Sequence, residues 1–236
     1  FRAPNINDVS SVYRSNPGNL IVPNAEAKPE YNYNFEYSIG RTIKDRFSFS
    51  FVNYYSLLRD ALVQTPAIYN GQSQIFYDGV LSNVYNEQNI GKAYIWGMSL
   101  NGSWILPNGL SMSGAITYTE GEDSMTKEAL ANVTPIFGEL GMGMTQGKLS
   151  SLFKVRFSGG IAREDLAPSE QVKTEFYTND GALAWYTINI YNSYQFNDYY
   201  SVNFNLENIL DTHYRPYASG ISAPGFNAVI SFRASF

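Results

Sequence analysis

Apolar and polar residues alternate along most of this chain. In YNYNFEYSIG, Tyr31, Tyr33, Phe35, Tyr37 and Ile39 are interleaved with Asn32, Asn34, Glu36 and Ser38. Strand side chains point alternately to opposite faces, so a period of two predicts strands with one greasy and one polar side. The pattern recurs in Phe47, Phe49, Phe51, Tyr55 and Leu57 against Ser48, Ser50, Val52, Tyr54 and Ser56. Asn53 falls on the greasy side there and suggests a bulge or a misread register. Tyr94, Trp96, Met98, Leu100 and Trp104 repeat it, as do Leu110, Met112, Ile116 and Tyr118. After a glycine-rich stretch with Leu140, Met142 and Met144, Leu149, Phe153, Val155 and Phe157 oppose Ser150, Lys154, Arg156 and Ser158. Tyr186, Ile188 and Ile190 follow, then Val202, Phe204 and Leu206. The chain closes on FNAVISFRASF, with Ala228, Ile230, Phe232, Ala234 and Phe236 on one side and Asn227, Ser231 and Arg233 on the other. The predicted fold is all-β, with about nine antiparallel strands of roughly ten residues each.

The connections alternate as well. Short turns near Thr42–Asp45, Pro107–Gly109, Gln146–Gly147 and Asn197–Asp198 separate long polar segments at Asn5–Glu30, Arg59–Gly91, Thr119–Thr134, Arg163–Leu183 and Ile209–Gly225. Tight turns at one end and long loops at the other, joined by strands long enough to cross a bilayer when tilted, predict a transmembrane β-barrel. With the long segments outside, the C-terminus lies at the periplasmic end. A complete bacterial barrel has an even strand number, and an unpaired strand edge is not tolerated in lipid. An odd count with opposite ends therefore predicts that 1–236 is the C-terminal part of a larger barrel. No apolar run reaches the roughly 20 residues of a membrane helix, which excludes a helical span and leaves a barrel untouched.

Composition narrows the function classes. The chain has no cysteine, which excludes disulfide scaffolds, thiolate metal sites and cysteine nucleophiles. The net charge of -5 and the lack of a basic stripe argue against nucleic acid as a partner. Only 16% of residues are charged while 16% are aromatic, as expected for strands that show aromatics to lipid and Asn or Ser to water. The chain begins at Phe1 without an initiator methionine, and is expected to be a processed product or a fragment.

Four stretches carry a family resemblance: FRAPNINDV at Phe1–Val9, NPGNL at Asn16–Leu20, VPNAEAKPEYNYNFE at Val22–Glu36, and the closing NLENILDTHYRPYASGISAPGFNAVISFRASF at Asn205–Phe236. The chain resembles the C-terminal barrel region of a TonB-dependent outer-membrane receptor, closest to Bacteroidetes haem and siderophore receptors. The resemblance implies a barrel of about 22 strands around an N-terminal plug. The plug, the TonB box and the earlier strands would precede Phe1. It implies an outer-membrane location and uptake of a scarce nutrient, such as an iron complex or haem, with TonB-derived energy. The implied partners are outer-membrane lipid, the plug and upstream strands, the TonB complex and the barrel-assembly machinery. That machinery would read Phe232 and the terminal Phe236. No cofactor, metal centre or catalytic residue is implied. A porin-like or adhesin-like barrel without TonB coupling is the alternative.

Candidate ligand-binding residues lie in the outer loops: Tyr13, Arg14, Tyr77, Tyr85, His213, Tyr214 and Arg215. The haem branch of the resembled family has a histidine between its first two boxes, but Asn5–Ser15 contains none. Tyr13 alone there could ligate haem iron through oxygen. His213 is the only histidine, with Asp211 nearby, and a lone imidazole is expected to pack in its loop rather than bind metal or act as a base. Lys154, Arg156 and Arg233 are expected on the polar face, paired with plug carboxylates. Trp96, Trp104 and Trp185 are expected in the aromatic girdle. GELGMGM at Gly138–Met144 is expected to mark close backbone approach rather than a phosphate loop, because no βαβ unit surrounds it.

Overall fold

The structure, a computed structural model, describes residues 1–16 and 18–235, so the expected assembly signal at Phe236 lies outside the described residues. The strands are β1 (Tyr13–Asn16), β2 (Asn19–Val22), β3 (Tyr31–Ile43), β4 (Phe47–Pro66), β5 (Gln74–Tyr77), β6 (Val80–Ile105), β7 (Leu110–Asp123), β8 (Phe137–Gln146), β9 (Leu149–Ser158), β10 (Trp185–Gln195), β11 (Tyr200–Glu207) and β12 (Asn227–Ala234). Two short helices, α1 (Ile6–Ser10) and α2 (Pro168–Gln171), lie in the connections. The chain divides into two compact units. One comprises Phe1–Phe35, Tyr55–Ile95 and Gly121–Glu128; the other comprises Glu36–Tyr54, Trp96–Glu120 and Ala129–Phe236.

In the second unit the strands follow the order β3-β4-β6-β7-β8-β9-β10-β11-β12. Register shows that alternation sorts side chains as expected. Phe153 pairs with Met142 on one side and Ile190 on the other. Ile190 pairs with Leu206, and on the same face Phe204 pairs with Ile230 and Val202 with Phe232. Lys154 pairs with Gly141 and Asn189 on the opposite face, where Asn203 meets Ser231 and Ser201 meets Arg233. Hydroxyl contacts extend that polar face: Thr42 to Ser48 at 3.1 Å, and Ser99 to Thr117 at 3.0 Å. The greasy residues are therefore not a core. Phe47, Phe153, Phe204 and Phe232 are all exposed, the last at 65%.

β3 and β12 each pair on one side only, with β4 and β11 respectively. Every residue of both strands is exposed. Among the described residues these edges do not meet, so the sheet does not close into a small barrel.

Close packing on the polar face explains one glycine. The Tyr54 hydroxyl lies 2.9 Å from Thr119 Oγ1, and its ring crosses Gly97, where a Cβ would sit 2.5 Å from that hydroxyl. Gly97→Leu should therefore displace Tyr54 and lower stability by about 1–3 kcal/mol. The thermal midpoint of the variant checks this, and an unchanged midpoint would contradict it. The glycines of β8 make room in the same way. A Cβ at Gly138 would lie 2.3 Å from the Ala115 carbonyl and 2.9 Å from the Phe157 ring.

The first unit departs from expectation. Asn5–Glu30 and Arg59–Gly91 were expected to be long polar loops, yet they hold β1, β2, β5 and the ends of β4 and β6. Strand β2 also pairs parallel to β6, with Leu20 opposite Val84 and Val22 opposite Asn86. Alternation reports a strand where one face is apolar and the other polar along its length, whereas these short segments bury a small core of their own. Leu20, Val22 and Val84 are nearly inaccessible, and Val12, Ile75 and Tyr77 pack against them.

Two further expectations need correcting. Trp185 pairs with Ser158 and so stands on the polar face, not in a lipid-facing girdle. Lys154 finds its carboxylate within the sheet, since its Nζ donates to Glu139 Oε1 at 2.9 Å. Asn53 makes its position tolerable by a hydrogen bond, its Nδ2 donating to the Gly97 carbonyl at 3.0 Å.

Candidate functional site

The expected ligand-binding residues fall into two groups, one in each unit. In the first unit, Asn5 caps α1 by accepting from the amides of Asn7 and Asp8, while Asp8 accepts from the Asn5 amide. The β1–β2 pairing then places Tyr13 beside Ile21, and the β2–β6 pairing places Ile21 beside Tyr85. Tyr13 and Tyr85 thus share a face, with fully buried Ile21 between them. Arg14 is on the other face. Its Nη2 donates to the Tyr77 carbonyl at 2.7 Å, and its guanidinium stands 5.8 Å over the Tyr77 ring and 3.8 Å from Asp78. The structure therefore brings Arg14 and Tyr77 together and sets Tyr13 and Tyr85 apart from them. Burial, aided by the Glu87 and Asp8 carboxylates, pushes the Tyr13 phenol above its ordinary value.

In the second unit, the connections 159–184 and 208–226 fold over the end of β9, β10 and β11. Isolated bridges close the first of them, Ile161 to Ala182 and Thr178 to Gly181. Arg163 ties its middle by donating to the carbonyls of Thr178 and Gln171. The second connection docks on it: Arg215 Nη1 donates to the Glu175 carbonyl, and the Tyr214 ring lies 4.1 Å from that of Trp185. Between them is a cavity of about 310 Å³ whose wall includes Phe176, Tyr177, Trp185, His213, Tyr214 and Tyr217. A second hollow of about 400 Å³ shares Trp185 and Tyr217 and adds Thr117, Glu139 and Arg156. Aromatic faces with a few cations and hydroxyls are the usual lining of small-molecule sites.

His213, Tyr214 and Arg215 all line this cavity. The His213 Nε2 is 3.1 Å from Ser222 Oγ. Asp211 Oδ1 accepts from the Phe226 amide at 2.8 Å, and Asp211 makes no hydrogen bond to His213 among the described residues. No group of three or more potential metal-ligating side chains occurs among the described residues.

Sequence reasoning missed Glu170. It is 1% exposed, and its carboxyl accepts from the Tyr177 and Tyr217 hydroxyls, each at 2.7 Å, and from the Asn132 amide at 3.3 Å. The one local signal is the apolar context of α2, since Leu166 and Ala167 just before it are buried as well. Burial first, then the hydrogen bond to Glu170 and its charge, push the Tyr177 phenol up to about 12, and the same causes raise Tyr217 further. The folded state therefore holds the Tyr177 proton more tightly than the unfolded state. Its stabilising effect is complete below pH 10 and is lost as pH rises toward 12. Ultraviolet titration should show a phenolate step near 12 that is missing in Tyr177→Phe. A step at the ordinary tyrosine value would contradict this environment.

Comparison with known proteins adds the following. A family model described as TonB dependent receptor-like, beta-barrel, matches residues 1–209. No curated protein matches by sequence. The chain is similar in fold to the ferric enterobactin receptor PfeA of Pseudomonas aeruginosa, with TM-score 0.75 and 19% identity over 99% of this chain and 36% of that one. It is similar to the copper transporter OprC, with TM-score 0.74 and 17% identity over 100% of this chain and 35% of that one. It is also similar to the siderophore receptor PirA of Acinetobacter baumannii, with TM-score 0.68 and 19% identity over 92% of this chain and 33% of that one. The chain thus spans about a third of the length of these structures.

Proposed function

This chain belongs to the TonB-dependent receptor-like β-barrel family, and we propose that it forms the C-terminal wall of an outer-membrane importer. That importer draws a scarce nutrient, an iron complex, haem or a similar chelate, into the periplasm with TonB-derived energy. The single observation that carries this is the aromatic cavity built by 159–184 and 208–226 at one end of a sheet whose exposed face is greasy. A greasy exposed face fits lipid, and a cavity at the end of the strands fits capture of a ligand before passage. Trp185, Tyr214 and Tyr217 supply stacking surface, and Arg215 and His213 supply positive or hydrogen-bonding groups at its margin. The role calls for no covalent chemistry in this chain.

The bare edges of β3 and β12 support the view that further strands of the same receptor pair with them. An edge of eight or more residues carries several unmet backbone groups, each costing several kcal/mol in hydrocarbon. The polar face, with Arg156, Asn203 and Arg233, would meet the plug, the TonB complex would act through that plug, and the C-terminus would be periplasmic. Barrel-assembly machinery would read the final strand, including Phe232.

The test is uptake in a strain with this protein as its sole receptor. Radioiron supplied as haem or as ferric siderophores should accumulate saturably and only when TonB is intact. Equal entry with and without TonB would identify a diffusive pore instead.

A further inference from the structure

Glu170 joins parts of the second unit that are far apart in sequence. Its Oε1 accepts from Tyr177 in its own connection and from the Asn132 amide, which lies between β7 and β8. Its Oε2 accepts from Tyr217, which lies between β11 and β12. Its contacts are donors from three separate connections, and no cation pairs with it among the described residues. A buried polar side chain of this kind is unfavourable unless every contact is made, so it favours the one arrangement in which all three connections are in place. The hydroxyls it consumes belong to Tyr177 and Tyr217, whose rings lie 5.7 Å apart and both line the cavity. With those hydroxyls occupied, the rings are held as a wall instead of turning as free side chains.

We infer that Glu170 is a positioning residue: it locks the connections 129–136, 159–184 and 208–226 into one preassembled cap and fixes Tyr177 and Tyr217 as its aromatic wall. This deepens the proposal that the cavity receives the ligand and rests on it for its functional meaning. A ligand that meets an ordered wall does not have to order three loops on arrival, which lowers the cost of binding. Tyr177 and Tyr217 keep their protons well into the alkaline range, so both hydroxyls remain donors as pH rises above neutral.

The experiment uses the full receptor in detergent micelles, without ligand, and follows amide hydrogen exchange. Glu170→Ala should speed exchange by about ten- to hundredfold in all three connections together, because each loses a buried partner. The strands β8 to β12 should keep their protection, which shows that the variant has folded. Tyr217→Phe should loosen 208–226 more than 159–184. Glu170→Gln keeps one carbonyl acceptor and should fall between wild type and alanine. Its Tyr177 titration should move down from about 12, partway toward 10, which a merely space-filling role would not produce. Faster exchange confined to 159–184, or an unmoved Tyr177 titration in Glu170→Gln, would overturn the inference. Haemin and ferric enterobactin then serve as binding probes. Failure of both to protect the cavity in the wild type would count against the ligand proposal, while leaving the exchange result for Glu170 intact.

Discussion

Gly181→Val is expected to abolish ligand capture at the cavity while leaving the sheet folded. Gly181 has φ of +98°, and a Cβ there would stand 2.2 Å from the Ile161 carbonyl oxygen and 2.7 Å from the Arg163 amide. Both neighbours are backbone, so no side chain can turn away to make room. The unfavourable backbone region alone costs roughly 1–3 kcal/mol, and the clash adds to it. The bridge from Ile161 to Ala182 must therefore open, and with it the segment that carries Phe176 and Tyr177. If about 3 kcal/mol is lost from the binding-competent form, apparent affinity falls roughly a hundredfold. Binding of a transported iron complex to the purified full receptor measures this. Wild-type affinity in a variant whose connection 159–184 has lost its protection from hydrogen exchange would contradict the placing of the site.

The second large effect concerns lipid. Phe153→Arg should destabilise the receptor by about 2–4 kcal/mol, because Phe153 sits mid-strand on the greasy face and arginine at the bilayer midplane has that cost. Its neighbour on the other face, Leu152, should accept arginine with little loss. Refolding titrations in lipid vesicles would compare the two variants. Equal penalties would mean that the two faces of β9 do not meet different solvents.

Much of this architecture could be read from alternation, and the reasons for the exceptions are physical. Phe153, Phe204 and Phe232 were assigned correctly because lipid demands an apolar residue at every second position. Strands β1, β2 and β5 are only four residues each, too short to show a period, and β2 and β5 pair with Ser82, Asn83 and Asn86 of β6, where a local core and not lipid decides which residue fits. The parallel β2–β6 contact joins segments some sixty residues apart, and no local pattern encodes it. Tryptophan is common at membrane boundaries, so Trp185 was expected there. Its place on the polar face is fixed by its strand register with Ser158 and its stacking on Tyr214. His213, Tyr214 and Arg215 could be singled out by type, and they do line one cavity. Glu170 could not, because its importance lies in three partners that only the folded chain assembles.

The most direct test of the account is a spin-label scan along β9 in the full receptor reconstituted in lipid. The chain has no cysteine of its own, so single cysteines at positions 152 to 157 can be labelled without background. Collision rates are then measured with oxygen, which partitions into lipid, and with a water-soluble nickel chelate. Labels replacing Phe153, Val155 and Phe157 should collide freely with oxygen and hardly at all with nickel. Labels replacing Leu152, Lys154 and Arg156 should show the lower oxygen access of a surface turned away from lipid. Oxygen access that is the same at odd and even positions, or nickel access at Phe153 and Val155, would contradict a membrane-facing sheet.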